Sequence, residues 1–98
     1  MEKGRVLKIL REHEPELRAA GVARLRVFGS VARDEASSSS DVDILADFDG
    51  SRPLTLVTVG RLQVRLADML GVEVDLSSPE WLREPVRSQA IQEALVAF

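Results

Sequence analysis

Residues 28–48 read FGSVARDEASSSSDVDILADF. The second half of this stretch alternates. Val42, Ile44, Ala46 and Phe48 fall on one side of an extended chain, and Asp41, Asp43, Leu45 and Asp47 on the other. Period-two alternation of this length predicts a β-strand with one apolar face. Asp49-Gly50 marks the turn that follows it. The run Ser37–Ser40 before it is polar and short, and is expected to be a loop.

Upstream, residues 23–28 alternate Arg24 and Arg26 with Leu25 and Val27, a second strand that ends at Gly29-Ser30. A short helix over Val31 to Ala36 is expected next. Residues 3–19 carry Val6, Leu7, Leu10 and Leu17 near helical spacing, with a break near Glu14 because Pro15 removes a helical hydrogen bond. Downstream, Pro53 lies near the start of a helix whose apolar stripe is Leu56, Val59, Leu62, Leu66, Met69 and Leu70, closed by Gly71. Val72, Val74 and Leu76 alternate with Glu73 and Asp75 as a third strand. Ser78-Pro79-Glu80 opens a short helix, and Pro85 opens another with Val86, Ala90, Ile91, Ala94, Leu95 and Phe98 on one face. The expected architecture is therefore an α/β (α+β) domain, a small mixed sheet of three or more strands flanked by helices, with residues 1–98 forming a single domain.

Composition narrows the function classes. A chain of 98 residues with 45% hydrophobic and 30% charged residues reads as globular. The absence of cysteine excludes disulfides, thiolate metal sites and a cysteine nucleophile. Lys8, Arg11 and Glu12 interrupt the N-terminal apolar residues, so neither a signal peptide nor a membrane span is expected, and the cytoplasm is the default compartment. A net charge of −3 argues against a protein held to nucleic acid by phosphate neutralisation. Arg24 with Arg26 remains a candidate local basic patch.

Asp41 and Asp43 are the first candidates for chemistry. Alternate residues of a strand point the same way with Cα atoms about 6.5–7 Å apart, so two carboxylates can converge on one cation or straddle two. Two-metal sites hold their ions about 3.5–4 Å apart. Hard oxygen ligands select Mg²⁺ or Mn²⁺. The same pair would also suit the solvent face of an edge strand. Gly29-Ser30 adds a bend where a backbone amide can approach a phosphate and a hydroxyl can donate to it, although an ordinary turn looks the same. Asp75 completes a three-carboxylate cluster if its strand lies beside that of Asp43.

A strand ending in Gly-Ser, ten residues, Asp-Val-Asp-Ile, and a later apolar–Asp–apolar strand together resemble the DNA polymerase beta superfamily of nucleotidyltransferases. Within it, GSVARDEASSSSDVDIL is similar to the minimal nucleotidyltransferase (MNT) domains. One departure is Asp34 after Arg33, where the family often has glycine. The resemblance implies that Gly29 and Ser30 hold a nucleoside triphosphate, that Asp41 and Asp43 bind Mg²⁺ (two ions, with Mn²⁺ as substitute), and that Asp75 shares the metal nearer the acceptor and helps activate its hydroxyl. Arg33 would contact phosphate or pair with Asp34 or Glu35. His13, on the first helix, is expected at the surface.

The resemblance further implies transfer of AMP from ATP to a hydroxyl. The chain leaves no room for a dedicated acceptor domain, so a partner or a second copy of the chain is expected to complete the acceptor site. Small domains of this kind resemble the antitoxins of HEPN/MNT toxin–antitoxin modules, which implies a HEPN-type RNase toxin as partner and a tyrosine on it as acceptor. The chain has no tyrosine of its own to modify. Two alternatives stay open: a non-enzymatic antitoxin that neutralises its partner by covering it, and nucleotidyl transfer to a small molecule or an RNA end.

Overall fold

The computed structural model describes residues 1–37 and 41–98; Ser38, Ser39 and Ser40 of the expected loop lie outside the described residues. Helices α1 (Lys3–Glu12) and α2 (Glu14–Ala19) are divided at His13. Pro15 sits in the first turn of α2, where its missing N–H breaks no bond but where it cannot prolong α1. Strand β1 (Val22–Phe28) runs into a one-turn helix α3 (Gly29–Ala32), and strand β2 (Val42–Phe48) follows. Helix α4 (Leu56–Leu70) leads to strand β3 (Val74–Ser77), a 3₁₀ turn at Pro79–Trp81, helix α5 (Val86–Glu93) and strand β4 (Leu95–Val96).

The strands form one mixed sheet in the order β3-β2-β1-β4. β1 is antiparallel to both β2 and β4, while β2 and β3 are parallel. A parallel pair needs a long crossover, and α4 supplies it. One face of the sheet presents Leu25, Val27, Val42, Ile44, Ala46, Val74 and Leu76 to a core shared with Val6 and Leu10 of α1, Leu17 of α2, and Leu62, Leu66 and Leu70 of α4. The hydrophobic alternation thus sets which face receives α1, α2 and α4. The acids of β2 and β3 are left on the opposite face.

Several expectations change in detail. The C-terminal apolar stripe is not one helix to Phe98. α5 ends at Glu93, and the next residues pair with the free edge of β1, where the Leu25 N–H donates to the Phe98 carbonyl and the Leu25 carbonyl accepts from the Ala97 and Phe98 amides. Within α5 only Ala90 is buried, while Val86 and Ile91 are exposed. Leu56 is 95% exposed rather than part of the buried stripe of α4. The Thr55/Thr58 capping box sets the phase of that helix and turns its first residue outward. Leu45 is fully buried on the acid-bearing face. Arg26 is mostly buried and its guanidinium bonds Asp47 at 2.8 Å, so Arg24 and Arg26 do not make a free basic patch. The short helix expected from Val31 begins at Gly29 instead. Ser78 is followed by a 3₁₀ turn and its side chain caps nothing. Among the described residues no helix is long and apolar enough to cross a membrane.

Candidate active site

The antiparallel register places Phe28 opposite Asp43. The parallel register places Asp43 opposite Asp75. These two pairings bring the end of β1, the start of β2 and the start of β3 to one edge of the sheet, with Asp43 and Asp75 on the same face of adjacent strands about 4.8 Å apart. Asp41 lies two residues before Asp43. Asp43 is half-buried, and Asp41 and Asp75 are exposed.

Their mutual influence shows in the acidity of Asp43. Burial raises its pKa above the ordinary carboxylate value, and the nearby charges of Asp75 and then Asp41 raise it further, with Arg33 opposing them. None of the three acids forms an ion pair among the described residues. Like charges held on one face without an ion pair of their own, with only hard oxygen donors, fit a divalent cation such as Mg²⁺. As they stand, no three His, Cys, Asp or Glu side chains among the described residues are already gathered to hold an ion. Asp41 and Asp75 are exposed side chains with room to turn toward one.

Gly29 sits against this cluster. Its φ is +74°, and a Cβ built there would lie 2.1 Å from Oδ2 of Asp43. Glycine is needed here on two counts: the left-handed backbone, and the space that the Asp43 carboxylate occupies. The Gly29 amide donates to Oε1 of Glu93 at 3.0 Å. Ser30 is half-buried beside it, in α3. Arg33 donates to Glu35 at 2.9 Å and to both carboxylate oxygens of Glu93 at 2.9 and 3.1 Å. It does not pair with Asp34, which Lys3 holds at 2.7 Å. His13 is a partly exposed residue paired with Glu16, away from the cluster.

Glu93 escapes a reading of the sequence. It lies 64 residues from Gly29, in the last helix, with no local motif to mark it. The only signal is the β1–β4 pairing, and that strand was itself hidden in a helical pattern. A separate cavity of about 130 Å³, lined by Phe48, Arg52, Leu54, Val59 and Arg65 among others, lies at the opposite end of β2 from Asp43.

Comparison with known proteins shows the family and the fold. Residues 4–97 match the nucleotidyltransferase domain family. The protein adenylyltransferase MntA of Thermococcus cleftensis is 38% identical over 88 residues, 89% of this chain and 87% of that protein. A solved structure described as a candidate minimal nucleotidyltransferase is 42% identical and superposes with a TM-score of 0.77 over 97% of this chain and 95% of the other. A complex of a tri-AMPylated Shewanella oneidensis HEPN toxin with an MNT antitoxin contains a chain with the same fold, at 20% identity and a TM-score of 0.59, over 98% of this chain and 68% of that one.

Proposed function

This chain belongs to the nucleotidyltransferase domain family, and from that premise we propose that it is a Mg²⁺-dependent protein adenylyltransferase. It moves AMP from ATP to a hydroxyl of a partner, a tyrosine of a HEPN-type toxin, and so acts as an antitoxin in the cytoplasm. Residues 1–98 act as one catalytic domain. The observation that carries this is the register Phe28–Asp43–Asp75, which sets Asp43 beside Asp75 at the end of β1, next to Gly29-Ser30 and two residues from Asp41. The relative in Thermococcus supports the adenylyl group, and the Shewanella complex supports the partner.

The acceptor hydroxyl oxygen attacks the α-phosphorus of ATP, a new O–P bond forms, and the bond from that phosphorus to the bridging oxygen of pyrophosphate breaks. Asp41 and Asp43 would hold Mg²⁺ on the nucleotide, and Asp75 would share an ion on the acceptor side. Bound there, the metal neutralises triphosphate charge and makes the hydroxyl more acidic. Asp75, exposed at the strand edge, would orient the hydroxyl and take its proton as the O–P bond forms. Ser30 donates its hydroxyl to a phosphate oxygen. Gly29 leaves the space in which Asp43 sits.

Incubation with ATP labelled at the α-phosphate, Mg²⁺ and a HEPN-type partner tests this. Label should appear on the partner with the wild-type chain and not with Asp41→Asn/Asp43→Asn. A double variant that still neutralises the toxin as well as wild type would make the chain a covering antitoxin rather than an enzyme.

A further inference from the structure

We infer that Glu93 is a positioning residue for the transfer: from the α5–β4 junction its carboxylate pins the Gly29 amide and the Arg33 guanidinium, and through Gly29 it fixes where the Asp43 carboxylate lies. This rests on the assignment of the Gly29-Ser30 and Asp41-Asp43-Asp75 edge as the nucleotidyl-transfer site. Antiparallel pairing of Arg26 with Val96 and of Val27 with Leu95 sets the path of the chain. Carried two steps further, the same register brings Glu93 across from Gly29. There Oε1 accepts the Gly29 N–H at 3.0 Å, and both oxygens accept from Nη1 of Arg33.

Arg33 is thereby held between two carboxylates, since its Nε donates to Glu35. It fastens α3 to α5, and its charge is balanced within the chain. The Gly29 amide, which a phosphate could otherwise take, is likewise engaged. Phosphate contact then falls to Ser30, whose side chain makes no hydrogen bond among the described residues. The pin matters because Gly29 has no slack toward Asp43, where even a Cβ would overlap the carboxylate. A small shift of this backbone moves the wall against which Asp43 rests. The Arg33 hydrogen bonds, and then that of the Gly29 amide, hold the Glu93 pKa below its ordinary value, so the pin stays charged at neutral pH.

The opposite role is a placeholder, in which Glu93 occupies the phosphate position and leaves when ATP arrives. The two are separated by Glu93→Ala, Glu93→Gln and Glu93→Asp, assayed for transfer well below each variant's melting temperature. ATP affinity is measured separately by calorimetry. The pin predicts that Glu93→Ala lowers kcat by about tenfold to a hundredfold, as sub-ångström to 1 Å misplacement does, with KM for ATP changed less than about threefold. Glu93→Gln, which keeps an acceptor oxygen, should recover part of the loss. Glu93→Asp, one methylene short, should not. In ligand-free protein, amide exchange at Gly29 should accelerate in Glu93→Ala. Unchanged kcat, ATP binding tightened several-fold by Glu93→Ala, or unchanged Gly29 exchange would each overturn the inference. If the wild-type chain transfers no label, the assigned activity is wrong and the positioning role falls with it, while the exchange comparison still reports whether the pin exists.

Discussion

Three glycines share nearly one backbone conformation and differ in what surrounds them. Gly29, Gly50 and Gly71 have φ of +74°, +78° and +71°; a Cβ at Gly29 would meet Asp43 at 2.1 Å, and a Cβ at Gly50 or Gly71 would meet nothing within 4 Å. Substitution by alanine costs each of them about 1–2 kcal/mol for a left-handed L-residue. Reduced freedom of the unfolded chain returns about 0.4–1 kcal/mol. Gly50→Ala and Gly71→Ala should therefore lose about 1 kcal/mol and keep transfer activity within about twofold. Gly29→Ala must also drive Asp43 off its rotamer, at about 0.5–1.5 kcal/mol. That extra cost corresponds to roughly 4–8 °C in Tm per kcal/mol for a domain of this length. Moving Asp43 outward relieves some of its burial and like-charge penalty, which narrows the thermal gap, so activity is the sharper readout. Transfer by Gly29→Ala should fall about a hundredfold, because a displaced carboxylate no longer meets its ion. Paired melts and labelled-ATP assays on the three variants decide the matter. If Gly29→Ala were as active as Gly71→Ala, the close approach of Asp43 would have no part in the chemistry.

Other outcomes follow from the same geometry. The Asp43 pKa is raised, so the folded chain holds that proton more tightly than the unfolded chain does. The metal-free protein should lose stability as pH rises from the ordinary carboxylate range through the raised value, with the full penalty above it. Asp43→Asn should consequently melt no lower than wild type at neutral pH, and the difference should vanish on acidification; a large loss in melts at neutral pH would mark Asp43 as structural. Mg²⁺ with ATP should raise the Tm of wild type, as any ligand of the native state does, and leave Asp43→Asn unmoved; equal shifts in both would place the ion elsewhere. Thr55→Ala removes one half of the α4 capping box and should cost about 1 kcal/mol in denaturant unfolding without changing transfer. Leu66→Ala, at a fully buried position, should cost about 2–5 kcal/mol in the same titration.

The parts of this fold that were legible in the sequence are those governed by local rules. Pro15 could only open a helix, and α2 begins beside it. Gly71 ends α4 in a left-handed turn. The alternation Val42-Asp43-Ile44 fixed which way the acids of β2 would face, and Val74-Asp75-Leu76 did the same for β3. Long-range pairing was harder to see. Ala94, Leu95 and Phe98 continue a helical stripe by spacing, yet the unpaired edge of β1 offers backbone partners, and those hydrogen bonds take the chain into β4 instead. Leu45 interrupts a row of acids by pattern, but it is buried on that face, where the 3₁₀ turn at Pro79–Trp81 packs against β2 and α5 packs against neighbouring β1. Glu93 was invisible for the same reason. Its partners are set by a strand that no local periodicity announced. Arg33 had three acidic neighbours to choose from along the chain or beyond it, and only the fold decides for Glu35 and Glu93 over Asp34.

Mn²⁺ added with a non-hydrolysable ATP analogue, followed by amide resonance broadening, probes the gathering of the acids on one cation most directly. Broadening should concentrate at Gly29 and Ser30, at Asp41 to Asp43 and at Val74 to Leu76, and it should disappear in Asp43→Asn. Broadening centred on another part of the chain, or undiminished in that variant, would mean that these carboxylates share a sheet edge without sharing an ion.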